Sequence, residues 1–168
     1  MYHQCYDPRF AEEFHIAKPS LDVSVVIAAP CGLVLKAFFE AEALGAWWQV
    51  AHSVTTPRAL GPYAVEWAPT DFRDDVLGRL GGVFRGTVLQ VQPSRGFVVV
   101  DAFWLPPDGD PIGPMALEVA CEPLGENSTR VRVTQTGFEE SVRWRRYYEV
   151  VEHGWERALA SLKSLLEK

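Results

Sequence analysis

The sequence predicts an α+β fold, one antiparallel sheet closed by a long terminal helix, on three observations. Val50 to Phe138 is built of short β-branched and aromatic runs separated by Gly, Pro, Asp and Asn, the texture of a meander. The runs follow one another through short turns, and strands so joined pair antiparallel. Ser141 to Lys168 carries Trp144, Tyr148, Val151, Trp155, Leu159, Leu162 and Leu166 at spacings of three or four, which predicts an amphipathic helix of roughly 40 Å. A rod of that length must lie across the sheet. One helix does not fill the concave face of a twisted sheet, so a cavity between the two is expected.

Taken in order, Leu21 to Ala28 is rich in Val and Ile and reads as a strand, ended by Ala29-Pro30-Cys31-Gly32. Pro30 suits a first helical turn, and Leu33, Val34, Ala37 and Phe38 repeat at the spacing of a buried helical face. Glu40 to Trp48 reads as a second short helix, with Gly45 as the expected interruption. Strands are expected near 51–56, 62–68, 83–92, 96–105, 113–122 and 128–137. Pro93-Ser94-Arg95-Gly96 and Leu124-Gly125-Glu126-Asn127 are tight hairpins, and Pro106 to Pro111 is an exposed loop. The stretch Pro69 to Gly82 holds Asp71, Arg73, Asp74 and Asp75. It is too polar for core and too long for a turn, which suggests a mobile flap. At the start, Tyr2, Tyr6, Phe10 and Phe14 form a stripe interrupted by Pro8, a candidate amphipathic segment. Residues 1–20 thus read as an N-terminal extension and 21–168 as one domain.

Composition narrows the function. A chain of 168 residues, 48% of them hydrophobic, builds a core without metal or disulfide staples. A net charge of -6 gives no counterion-release drive toward nucleic acid. Cys5, Cys31 and Cys121 are widely spaced, with no CxxC, as expected of a reduced protein. No apolar run approaches the roughly 20 residues of a membrane span, so a cytoplasmic address without membrane insertion is expected.

Several segments resemble one family. Ile27-Ala28-Ala29-Pro30, the helix from Leu33 to Glu40, and Trp47-Trp48 are similar to the start of the family of activator of heat-shock-protein-90 ATPase homologue-like proteins, within the START-related SRPBCC superfamily. Gly86 to Pro93 resembles its middle strand, Thr129 to Phe138 its last strand, and His153-Gly154-Trp155 with Leu159, Leu162 and Lys163 its terminal helix. The resemblance covers about Leu21 to Lys168. It implies a helix-grip fold, a curved seven-stranded antiparallel sheet wrapped around the C-terminal helix, with two short helices after the first strand and a hydrophobic pocket inside. Two departures set this chain's pocket apart from the family pattern: Leu60-Gly61-Pro62-Tyr63 replaces a Gly-Gly-x-aromatic segment, and Pro69 to Gly82 is longer.

Pocket candidates follow from strand and helix phase. Trp48, Trp67, Phe84, Trp104, Tyr148 and Val151 are the expected apolar contacts, with Arg85, Asp101, Glu66 and His52 as polar orienters. Asp101 lies among Phe97, Val99 and Phe103, so it is expected either to face water or to pair with a cation such as Arg85 across the sheet. Trp155, in the middle of the helical stripe, reads as core. Glu149 and His153 are the one helical pair at metal-ligand spacing, and a surface salt bridge accounts for them better. Local neutralisation by Glu139 and Glu140 is the expected fate of the basic cluster Arg143-Trp144-Arg145-Arg146. No nucleophile elbow, phosphate loop or dinucleotide fingerprint is present, so no catalytic residue, metal or cofactor is assigned.

The leading expectation is therefore binding of a small apolar or amphipathic ligand between sheet and helix. The alternatives are a cyclase- or hydratase-like enzyme using Asp101, Glu66 or His52, and a chaperone-interacting module as the family name implies. A homodimer is compatible with the N-terminal extension.

Overall fold

The computed structural model describes residues 19–168. The aromatic stripe at Tyr2, Tyr6, Phe10 and Phe14 lies outside the described residues. Strand β1 (Leu21–Ile27) leads into helix α1 (Cys31–Ala37), with Pro30 at the N-cap position. Its lack of an N–H costs nothing there. Helix α2 (Ala41–Trp48) follows, and the break between the helices falls at Phe38–Glu40 rather than at Gly45. Gly45 stays within the helix, since one glycine costs a helix only about 1 kcal/mol. Phe38 at the break is fully buried and meets Trp47 and Phe97 edge-on at 4.9 and 5.6 Å. Phe38→Ala is expected to cost about 3–5 kcal/mol by the cavity it leaves, measured by urea unfolding.

The remaining strands are β2 (His52–Thr55), β3 (Pro62–Trp67), β4 (Arg73–Asp74), β5 (Gly78–Arg79), β6 (Gly82–Gln92), β7 (Gly96–Leu105), β8 (Ile112–Gly125) and β9 (Ser128–Thr136). Seven of these nine strands make one antiparallel sheet in the order β1-β9-β8-β7-β6-β3-β2, while β4 and β5 pair only with each other. The main strands lie where the sequence pattern puts them, with β8 running on to Gly125. β4 and β5 occupy the middle of the Pro69–Gly82 stretch, which is a hairpin and not a structureless loop. Its polar composition also misleads, because Leu77 and Asp74 are buried, 3% and 6% exposed.

The sheet bends because its central strands fall out of register. Shifts interrupt β6–β7 at Arg85/Thr87 and Val88/Gln90, and β7–β8 between Val99 and Ala102 and again before Trp104. Each irregularity adds local twist. The shift after Val99 also reverses the expected alternation along β7: Val99, Ala102 and Trp104 face inward, while Asp101 is exposed. Asp101 adopts φ +49, a left-handed conformation that short polar residues tolerate. It forms no ion pair with Arg85, so the cross-sheet pair is not made.

Helix α3 (Val142–Leu166) is the closing rod. Its first turn is capped by Ser141, whose Oγ accepts from the Trp144 amide at 3.1 Å. Its C-terminal end is fastened to β1: Lys163 donates to the Val26 carbonyl at 2.9 Å, and the Glu167 carboxylate accepts from the Ala28 amide at 2.9 Å. Leu159 and Leu162 enter the core. Arg145 pairs with Glu140 at 2.7 Å, as local neutralisation requires, and Arg146 finds a further partner in Asp74.

Candidate functional site

Between α3 and the concave side of the sheet lies a cleft of about 890 Å³. It is walled by Trp48 from α2, Trp67 from β3, Phe84 from β6, Trp104 from β7, and Val151 and Trp155 from α3. Among the larger side chains that α3 turns toward it stand Gly154, Ala158 and Ser161, one small residue per turn, and these leave part of the space open. A Cβ built on Gly154 would meet nothing within 4 Å. Small side chains here leave a void that leucines would fill.

The aromatic wall is fixed by its own contacts. Trp48 stacks on Trp47 with centroids 5.1 Å apart, meets Trp67 edge-on at 5.1 Å and touches Trp155 at 4.7 Å. Two of the wall indoles give their polar handles to backbone: Trp67 Nε1 donates to the Trp48 carbonyl at 3.0 Å, and Trp104 Nε1 to the Gly81 carbonyl at 2.8 Å. The N–H groups of these two are satisfied and their rings are held in place.

Two polar side chains lie among these rings. Gln135, at the end of β9, and Tyr147, on α3, are 1% and 3% exposed, and both line the cleft. The Gln135 amide nitrogen donates to the Tyr147 oxygen at 2.7 Å and approaches Met115 Sδ at 3.1 Å. Burial pushes the Tyr147 phenol well above its ordinary value, so it stays neutral.

The remaining side is the β4–β5 flap, whose Pro69, Thr70, Phe72, Leu77 and Leu80 border the opening. Asp74 anchors it. One carboxylate oxygen accepts from the Val76 and Leu77 amides at 3.0 and 2.9 Å, and the other from Arg146 Nε on α3 at 2.8 Å. The Arg146 guanidinium, helped by the two amides, holds the Asp74 carboxyl below the usual carboxylate range despite its burial. Phe72 remains 65% exposed. Among the described residues, Arg157 is the one charged side chain of the lining, which includes no Asp or Glu.

Of the residues expected to form the pocket, Trp48, Trp67, Phe84, Trp104 and Val151 line the cleft together. Five stand elsewhere. Arg85 follows Phe84 on β6 and so points to the exposed face. Asp101 sits in the β7 irregularity, outside the cleft. Tyr148 is buried one helical position away from Tyr147, packs on Trp144 and donates to the Gly137 carbonyl. Glu66 and His52 pair with each other at 3.4 Å across exposed positions of β3 and β2. Trp155, expected as core alone, is both buried and part of the wall. Glu149 contacts Arg146 and His153 contacts Glu156, so the helical metal-ligand spacing brings no site. No group of three or more His, Cys, Asp or Glu among the described residues could hold a metal.

The sequence reading missed Gln135, Tyr147 and Gly154. The signal for Gln135 was present: it follows Val131 and Val133 at period two, a polar residue in phase with a buried face. Gly154 is likewise visible as a glycine inside an otherwise regular helix.

A curved antiparallel sheet gripping a C-terminal helix, with an apolar cleft between them, defines a helix-grip protein. Within that class the chain belongs to the family described as activator of Hsp90 ATPase homolog 1-like protein, which matches residues 28–167. A Mesorhizobium loti protein of known structure is 21% identical, with a TM-score of 0.65 over 88% of this chain and 96% of its own. A protein from Mycobacterium smegmatis is 15% identical, with a TM-score of 0.67 over 89% and 91%. The Aha1 of Colwellia psychrerythraea, whose structure is that of a dimer, is 20% identical with a TM-score of 0.60 over 88% and 96%. These similarities establish the fold. No curated protein matches the chain. No helix among the described residues is long and apolar enough to cross a membrane.

Proposed function

We propose that the protein binds a small apolar or amphipathic molecule in the cleft between sheet and helix. The observation that carries this reading is the void itself: about 890 Å³ walled by aromatic rings, beside a helix on which Gly154, Ala158 and Ser161 leave room. Flat aromatic or acyl-like guests suit such walls. A guest that buries 250 Å² of apolar surface gains on the order of 6 kcal/mol before the costs of association.

The cyclase- or hydratase-like reading needs an acid or base within reach of the guest. Asp101, Glu66 and His52, its nominated groups, all stand outside the cleft, so it has no support from them. A chaperone-interacting role rests on the family's description alone, whereas the cleft is a feature of this chain.

Titration with a panel of fatty acids and flat aromatics, followed by tryptophan fluorescence, tests the proposal. Trp48, Trp67, Trp104 and Trp155 line the site, so a binding member should shift emission saturably at one molecule per chain and raise Tm as ligand linkage requires. Unchanged emission and Tm across the panel would overturn the reading.

A further inference from the structure

Each of the paired groups Gln135 and Tyr147 has hydrogen-bonding capacity that no described residue uses. A glutamine amide offers two donor hydrogens and a carbonyl oxygen, and a phenol offers one donor and lone pairs. With Gln135 donating to Tyr147, the glutamine carbonyl oxygen and the phenol hydrogen have no protein partner among the described residues. Were the amide turned the other way, the phenol would donate to the glutamine oxygen, leaving the two amide donors and a phenol lone pair. In both arrangements the pair retains at least one donor and one acceptor. Both side chains line the cleft. Buried polar groups left unmatched are costly, so this position favours a guest that completes them.

Resting on the ligand-binding reading, we infer that Gln135 and Tyr147 form a specificity subsite for a ligand bearing a group that both donates and accepts, such as a phenolic or alcoholic hydroxyl. The hydroxyl hydrogen goes to the free acceptor of the pair and its oxygen receives the free donor, while the hydrocarbon body lies on the indole wall. Arg85, Asp101, Glu66 and His52 leave this task open, because none of them reaches the cleft. Discrimination of this kind is strong, because an analogue that lacks the hydroxyl hydrogen leaves a buried acceptor unpaired.

Calorimetric titration with three probes that share one ring system, 2-naphthol, 2-methoxynaphthalene and naphthalene, tests the inference. In the unaltered protein the naphthol is expected to bind about tenfold more tightly than its methyl ether. Tyr147→Phe, which keeps the ring that contacts Trp104 at 5.6 Å, and Gln135→Met are each expected to reduce that preference to within about threefold. Affinity for naphthalene should stay within about threefold in the same variants, which separates a lost hydrogen bond from a damaged cleft. Equal binding of all three probes to the unaltered protein, or a preference that survives both substitutions, would overturn the inference and leave the apolar cleft standing. No binding by any of the three would overturn both.

Discussion

Gly154→Leu is expected to yield a protein that is more stable than the natural one and no longer binds its ligand. The stability gain comes from the helix. Gly154 lies within α3, which runs from Val142 to Leu166, and glycine inside a helix is about 0.8–1 kcal/mol less favourable than good helix formers. The new side chain has room, because a Cβ at this position meets nothing within 4 Å. That room is the cleft. A leucine projecting from Gly154 would occupy the space beside Trp155 and Val151 that a guest requires, with an expected loss of tenfold or more in affinity. Urea unfolding and fluorescence titration on the same sample measure the two effects. Gly154→Ala should keep most of the stability gain and a larger share of the binding. If Gly154→Leu destabilised the fold and left binding intact, the space beside this glycine would not be where the guest sits.

Asp74→Ala is expected to release the flap and to lower stability by about 2–3 kcal/mol. The substitution strips the Val76 and Leu77 amides of their acceptor and leaves Arg146 without its flap partner. The Arg146 side chain is 41% exposed, so water screens part of the ionic contribution and most of the cost comes from the hydrogen bonds. Hydrogen exchange of the Val76 and Leu77 amides should accelerate before the amides of β7 and β8 respond, because the flap is a separate small hairpin. Acid should imitate the substitution. The folded Asp74 carboxyl titrates below its unfolded value, so its contribution is complete above the ordinary carboxylate range near pH 4 and fades as pH falls through the lowered value. The unaltered protein should therefore lose flap protection in acid, whereas Asp74→Ala should show a flatter response over that window.

The large architecture was legible because it rests on periodicity. Val131 and Val133 alternate at period two, and Trp144, Trp155, Leu159 and Leu162 recur at helical spacing, and both patterns report which face meets the core. Turn residues such as Pro93 to Gly96 set the hairpins, so strand order followed with little freedom. That Trp48, Trp67, Phe84 and Trp104 line the cleft was legible in the same way, since a large ring on an inward face lines whatever lies inside. Polar site residues were not. Arg85 and Asp101 were nominated for their charge, but Arg85 lies on the outer face and the β7 register shift turns Asp101 to solvent. A register shift of one residue reverses every alternation beyond it and leaves little trace in residue type.

Hydrophobic periodicity determined that this chain would fold as a sheet closed by a helix, because burying apolar surface at two periods admits few other arrangements. Whether that packing would be complete was settled only in three dimensions. The void depends on the coincidence of a bent sheet, three small residues on one helical face and a flap tied down by Asp74 and Arg146, groups 72 residues apart in the chain. Contacts between distant residues follow from shape, and shape is the sum of local bends that no single stretch of sequence specifies.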